Sequence, residues 1–142
     1  MILLDTNVLS ELMSAEPNEH VIRWIDDHYP INLYICAVTR AEIELGILLL
    51  PEGKRKKQLA GAANEMFSDF SGRCLSFDES AAVEYAKLAK QRRNMGRPIS
   101  VEDGQIAAIA IANRLILATR NVKDFEEISE LNIMNPWCAS GS

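Results

Sequence analysis

The chain has 142 residues, 48% of them hydrophobic and 25% charged, a balance that calls for one packed domain and excludes wholesale disorder. The formal net charge of −5 argues against a uniformly basic nucleic-acid surface and leaves only local cationic patches for that role. Cys36, Cys74 and Cys138 are odd in number and widely spaced with no C-x-x-C pair, so neither a disulfide framework nor a cysteine zinc site is indicated.

In chain order, Ile2-Leu3-Leu4 is an apolar run that reads as a buried strand, bounded by the polar Asp5-Thr6-Asn7. Val8 to Met13 reads as helical. Pro17 fits a helix entrance, and Val21, Ile22, Trp24 and Ile25 give an apolar stripe ending near His28, with Pro30 as the stop. Leu33 to Ile35 reads as a second strand. Thr39-Arg40-Ala41-Glu42 matches a capping box, followed by Ile43, Leu45, Ile47 and Leu48, until Pro51 and Gly53 break the helix.

Residues 54–70 read as an amphipathic, Ala-rich helix, and Cys74-Leu75 as a weak strand. Asp78 is a good N-cap for a helix carrying Ala82, Tyr85, Leu88 and Ala89, which Gly96 and Pro98 terminate. Ser100 caps a helix from Val101 to Asn113. Leu115 to Ala118 is a fourth strand and Asn132 to Met134 a fifth. Strands alternating with helices imply a parallel sheet covered on both faces, and neither a repeat nor an interdomain linker interrupts residues 1–142. Asp5, Asn7 and Ser10 interrupt any signal-peptide core, and the longest apolar run, Ile47 to Leu50, is too short for a bilayer. A cytoplasmic protein without membrane contact is the expectation.

Parallel sheets of this kind bind ligands beyond the carboxyl ends of their strands. Asp5 follows the first strand there, and Thr119, Arg120 and Asn121 follow the fourth. Glu42 and Asp103 are expected in the first turns of their helices. Each acid alone has a capping explanation. Gathered at one edge, Asp5, Glu42 and Asp103 would repel one another unless a cation or protons compensate, and hard oxygen ligands suit Mg²⁺ or Mn²⁺.

Other chemistries lack their signatures. His20 and His28 form no H-E-x-x-H pair and read as surface residues, and neither G-x-S-x-G nor a Gly-rich phosphate loop occurs. Lys54, Arg55, Lys56 and Lys57 form one basic run, and Arg92, Arg93 and Arg97 another. Each is either a phosphate track or a solvated helix face.

The ordered set of motifs resembles a known family. Met1-Ile2-Leu3-Leu4-Asp5-Thr6-Asn7-Val8-Leu9-Ser10 resembles the opening of PIN-domain toxins, especially the FitB-like branch of the VapC group. Ala41-Glu42-Ile43-Glu44-Leu45-Gly46 resembles their second motif, and Asp103-Gly104-Gln105-Ile106-Ala107-Ala108-Ile109-Ala110 the third. Ala118-Thr119-Arg120-Asn121-Val122-Lys123-Asp124-Phe125 resembles the fourth, and Asn135-Pro136-Trp137 the C-terminal end. The match spans essentially the whole chain as one PIN domain.

This resemblance implies an α/β/α sandwich around a mainly parallel sheet of about five strands. It implies a metal-dependent endoribonuclease toxin, cutting RNA and neutralised by a cognate antitoxin, with a homodimer and a higher toxin–antitoxin assembly as partners. Asp5, Glu42 and Asp103 take the catalytic and Mg²⁺ or Mn²⁺ ligand roles, and Asn7 and Thr119 support them. Asn121 stands where many relatives carry a fourth acid, which puts a second metal in question, and the nearby Asp124 is a substitute. No covalent intermediate is needed. Two rivals remain: a PIN-like assembly or binding module weakened in catalysis, and an α/β phosphatase with Asp5 as nucleophile, although Asn7 occupies the place of its second acid.

Overall fold

The computed structural model describes residues 1–29 and 32–138; Pro30, the expected stop of the second helix, lies outside them. Along the described residues the chain forms β1 (Ile2–Leu4), α1 (Thr6–Leu12), α2 (Glu19–His28), β2 (Leu33–Cys36), α3 (Ala37–Leu48) and α4 (Lys54–Asp69). It continues with β3 (Cys74–Leu75), α5 (Glu79–Asn94), α6 (Val101–Ala112), β4 (Ile116–Ala118), α7 (Val122–Phe125) and β5 (Ile133–Met134). No described helix is long and apolar enough to cross a membrane.

The strand order is β3-β2-β1-β4-β5, and every neighbouring pair is parallel. From β1 the chain winds outward through β2 and β3, then returns to the other side of β1 for β4 and β5. The direction of winding therefore reverses between β1 and β4, where open parallel sheets leave a crevice at their carboxyl edge.

Strand side chains alternate between faces and so build two cores. Ile2, Leu4, Leu33, Ile35 and Ala118 pack with Val8, Val21, Ile25, Ile43, Met66 and Phe67 of α1 to α4. Leu3, Cys36 and Leu117 point the other way, into Leu88 of α5 and Ile106 to Ala110 of α6. The result is the expected three-layer α/β/α sandwich. Leu3 and Leu117 are fully buried, each worth about 1.5–3 kcal/mol of transfer free energy. Small residues let α6 sit close to its neighbour: a Cβ added to Gly104 would stand 3.4 Å from Ile99 Cγ2.

Several helix starts differ from expectation, each for a local reason. The first helix begins at Thr6 rather than Val8, because Asp5 Oδ1 accepts from the Thr6 N–H at 2.7 Å. Pro17 does not open α2; Asn18 caps it, its Oδ1 accepting from His20 N at 2.8 Å and Val21 N at 3.3 Å. The capping box at Thr39-Glu42 is not formed. The helix starts three residues earlier, and the Thr39 hydroxyl folds back onto Cys36, donating to its carbonyl at 2.8 Å and accepting from its N–H at 3.4 Å. Glu42 therefore sits beyond the first turn and has no capping role. Asp78 and Ser100 cap as expected, accepting from Ala81 N at 3.0 Å and Asp103 N at 3.2 Å.

Candidate active site

The switch point places its polar residues by backbone hydrogen bonds. Asp5 N–H donates to the Ala118 carbonyl at 2.9 Å, which ties the end of β1 to the end of β4. Thr119 N–H donates to the Met134 carbonyl at 3.0 Å, which ties β4 to β5. Asp5 and Thr119 thus leave adjacent strands side by side, and both are buried.

A network forms around Asp5. Its Oδ2 accepts from the Thr119 hydroxyl at 2.8 Å and from Asn7 Nδ2 at 3.3 Å. Asn7 Nδ2 also reaches Thr119 Oγ1 at 3.3 Å, and Asn7 Oδ1 accepts from the Arg120 N–H at 3.1 Å. Thr119 Oγ1 accepts in turn from Asn121 N at 3.0 Å. With its hydroxyl shared in this way, Thr119 fixes both the carboxylate orientation and the start of the fourth motif.

Asp5, Glu42 and Asp103 line one open cavity of about 460 Å³, with Thr6, Asn7, Ser10, Glu11, Arg120, Asn121 and Trp137. The Thr6 hydroxyl donates to Glu42 Oε1 at 2.6 Å and holds α3 against α1 there. Asp103 enters from the first turn of α6. Asp124 does not line this cavity. It lies exposed in α7, although its charge reaches Asp103. Asn121 lines the cavity but contributes no charge.

The electrostatics follow from burial and crowding. Desolvation pushes the Asp103 carboxyl up to about 6, with the Asp5, Asp124 and Glu42 charges adding to the rise and a Ser100 hydrogen bond opposing it. Burial also raises Asp5, against the hydrogen bonds from Thr119, Thr6 and Asn7, and the Glu42 charge adds to the rise. These are carboxylates without enough positive charge. Among the described residues, no three acidic, histidine or cysteine side chains stand close enough to close on one ion. Such spacing still suits Mg²⁺, which keeps several waters and takes one or two carboxylates directly.

Thr119→Val, which keeps the shape and removes the hydroxyl, tests the network. Asp5 would lose a charge-assisted hydrogen bond worth about 1.5–3 kcal/mol, and support of this kind is worth about 10–100-fold in metal affinity. Mn²⁺ titration by calorimetry should show that weakening, and an unchanged affinity would remove Thr119 from the site.

Three cations of the basic runs are engaged within the fold, while the exposed Arg55 lines the groove that adjoins the acidic cavity through Thr6, Ser10 and Glu42. Arg92 is buried, its Nη1 donating to the Asp124 carbonyl at 2.9 Å and the Glu126 carbonyl at 3.2 Å, and its Nε to the Arg97 carbonyl at 2.8 Å. It braces α7 and the residue that follows it. Arg97 Nη2 donates to the Lys123 carbonyl at 3.1 Å, and Lys56 pairs with Glu52 at 2.6 Å. His20 is exposed as expected, while His28 is half-buried, 4.6 Å from the Trp24 ring between centroids. Sequence reasoning places Arg120 at the ligand edge without a specific role and singles out neither Thr6 nor Trp137 for the site. Their signal was position alone, within three residues of the ends of strands one, four and five.

The PIN domain family model matches residues 2–131. The chain is 43% identical over 141 residues to the VapC ribonuclease Y4jK of Sinorhizobium fredii, a match covering 96% of this chain and 98% of that one. It is 40% identical over 138 residues to the toxin FitB of Neisseria gonorrhoeae, covering 96% and 99%. A structure of FitAB bound to an IR36 DNA fragment superposes with a TM-score of 0.89 at 39% identity, covering 97% of this chain and 96% of that one.

Proposed function

The chain belongs to the PIN domain family, and on that premise we propose that it is a Mg²⁺- or Mn²⁺-dependent endoribonuclease toxin held in check by an antitoxin protein. One observation carries the reading: Asp5, Glu42 and Asp103 share a cavity at the sheet's switch point, with the Asp103 carboxyl raised to about 6. Such a cluster favours a divalent cation, and Asp5 and Asp103 would hold it with water completing the shell. When bound, the ion supplies charge neutralisation at a phosphate oxygen and acidifies a water.

The chain's own groups do the rest. Thr119 and Asn7 orient the Asp5 carboxylate. The Thr6 hydroxyl occupies Glu42 Oε1, so Oε2 is the oxygen left to orient the attacking water or take its proton. Asn121 tilts the site toward one tightly held ion, because an amide oxygen adds no charge to attract a second. Neither aspartyl chemistry nor a covalent intermediate is required.

The antitoxin fits the same charges. A groove lined by Met13, Ile43, Ile47, Leu50 and Leu59 shares Thr6, Ser10 and Glu42 with the acidic cavity. A partner segment with an apolar face and an arginine would fill the groove and pair its guanidinium with the carboxylates. Self-association has surface to use as well: Leu45, Leu48 and Leu49, at i, i+3 and i+4, are all exposed.

The spacing of the carboxylates favours one rival, a PIN-like module weakened in catalysis. Incubating the purified chain with total bacterial RNA separates the two. Cleavage is expected with Mg²⁺ or Mn²⁺ and none with EDTA, and the antitoxin should abolish it. Intact RNA under every metal condition would leave the binding module as the correct reading.

A further inference from the structure

We propose that Arg120 is the phosphate-binding residue of this site and that Trp137 positions it by holding its guanidinium off the carboxylates. The proposal rests on the ribonuclease reading and adds the group that meets the RNA backbone.

Arg120 and Trp137 leave the carboxyl ends of neighbouring parallel strands, β4 and β5, paired at Ala118 and Met134. Both line the acidic cavity. Arg120 is the one cationic side chain among the described residues that line it. Its guanidinium lies 5.1 Å from the Trp137 ring centroid. None of the ion pairs among the described residues involves it, although Asp5, Glu11, Glu42 and Asp103 line the same cavity.

That absence needs a cause. An exposed arginine beside several carboxylates gains by forking onto one of them. Here two anchors oppose it. Asn7 Oδ1 accepts from the Arg120 backbone N–H at 3.1 Å and fixes where the side chain starts. An Asx turn, Asn135 Oδ1 accepting from the Trp137 N–H at 2.9 Å, fixes the indole, and the ring packs on the first core. The indole face then gives the guanidinium a favourable alternative to a carboxylate.

The arrangement solves a problem the acidic cavity creates. The carboxylates that attract a metal ion also repel the RNA backbone. A cation kept at the cavity wall, in no ion pair among the described residues, would draw in a phosphate while leaving Asp5 and Asp103 free to hold a metal ion. A phosphate next to the scissile one would sit against the guanidinium plane.

Two readouts test this with the full-length chain. Binding of a fluorescent mixed-sequence 20-nucleotide RNA is followed by anisotropy between about 50 and 200 mM KCl, and Mn²⁺ binding by thermal shift. Arg120→Ala should weaken RNA binding about tenfold, the loss of one charge-assisted contact, and reduce the salt slope by about 0.7. It should leave the Mn²⁺ shift intact. Arg120→Lys should restore the slope. Trp137→Leu should shrink the Mn²⁺ shift, because the freed guanidinium falls onto the carboxylates, and adding Arg120→Ala to it should restore the shift. Trp137→Phe, which keeps a ring face, should resemble wild type. Wild-type binding with an unchanged slope in Arg120→Ala overturns the phosphate contact alone. A Trp137→Leu defect that persists without Arg120 overturns the positioning role. Wild-type protein that neither binds nor cleaves RNA overturns the ribonuclease reading itself.

Discussion

Asp5→Asn is expected to abolish RNA cleavage while leaving the protein folded. The two halves of that result have different causes. Asp5 Oδ1 caps α1 through the Thr6 N–H, and an amide oxygen can keep that bond. The carboxylate is buried, and burial makes its charged form costly, so neutralising it removes a desolvation cost that offsets the bonds lost from Thr119 and Asn7 on the Oδ2 side. The chemistry loses the one acid tied to both the β1 and β4 ends. A single preorganised electrostatic group is worth about 10²–10³ in rate, and a lost metal ligand belongs at or above the top of that range. Asn121→Ala is the comparison. Asn121 is exposed and uncharged, so its loss should cost about tenfold or less, on the order of 1.4 kcal/mol. Single-turnover cleavage at saturating Mn²⁺, with circular dichroism melts of both variants, makes the measurement. Equal and complete loss in both would mean that the fourth position holds metal after all.

Much of this was legible because it is local. Ile2-Leu3-Leu4 and Leu115 to Ala118 are short apolar runs ended by polar residues, and such runs have few alternatives to a buried strand. Ser100 and Asp78 announce their helices by side-chain chemistry that needs nothing from elsewhere in the chain. Thr39 shows the limit. Its spacing to Glu42 satisfies the capping pattern, yet the β2 strand runs directly into α3 and the same hydroxyl closes onto Cys36 instead. Tertiary pairing of β2 with β1 and β3 fixed where the helix could begin, and no window around Thr39 contains that information.

The site divides in the same way. Asp5 and Asp103 are legible from their positions beside strand and helix ends. The roles of Thr6 and Trp137 depend on contacts with Glu42 and Arg120 across the fold, 36 and 17 positions away in sequence. Arg92 was misleading for a related reason. A run of arginines looks like surface, but one of them turns inward to satisfy the carbonyls of Asp124 in α7 and of Glu126 just beyond it. Only these bonds from α5 to the α7 segment reveal it.

Asp103→Asn should raise the melting temperature of the metal-free protein at pH 7.5 and, in the same variant, remove the stabilisation by Mn²⁺. Its carboxyl is raised from the ordinary 3.8 to about 6, first by burial and then by Asp5. The folded state therefore holds this proton to higher pH than the unfolded chain does. The stabilisation that comes from holding it is fully present below about pH 4 and is lost as pH rises through 6. Asparagine cannot ionise, so the variant escapes that loss: its advantage should be largest above pH 6 and should fade toward pH 4. Mn²⁺ reverses the order. The ion needs the ionised carboxylate, so its affinity for wild type should climb through pH 6 as the proton leaves. At about 100 times the dissociation constant, binding contributes roughly 2.7 kcal/mol, several degrees for a domain of this size. If Asp103 served only the helix terminus, the signs would invert. Losing an anion there would cost about 0.3–1 kcal/mol without metal, and the Mn²⁺ response would survive. Four melts decide it, wild type and variant, each with EDTA and with Mn²⁺. A variant that melts lower in EDTA yet still gains stability from Mn²⁺ would assign Asp103 to the cap and take it out of the metal site.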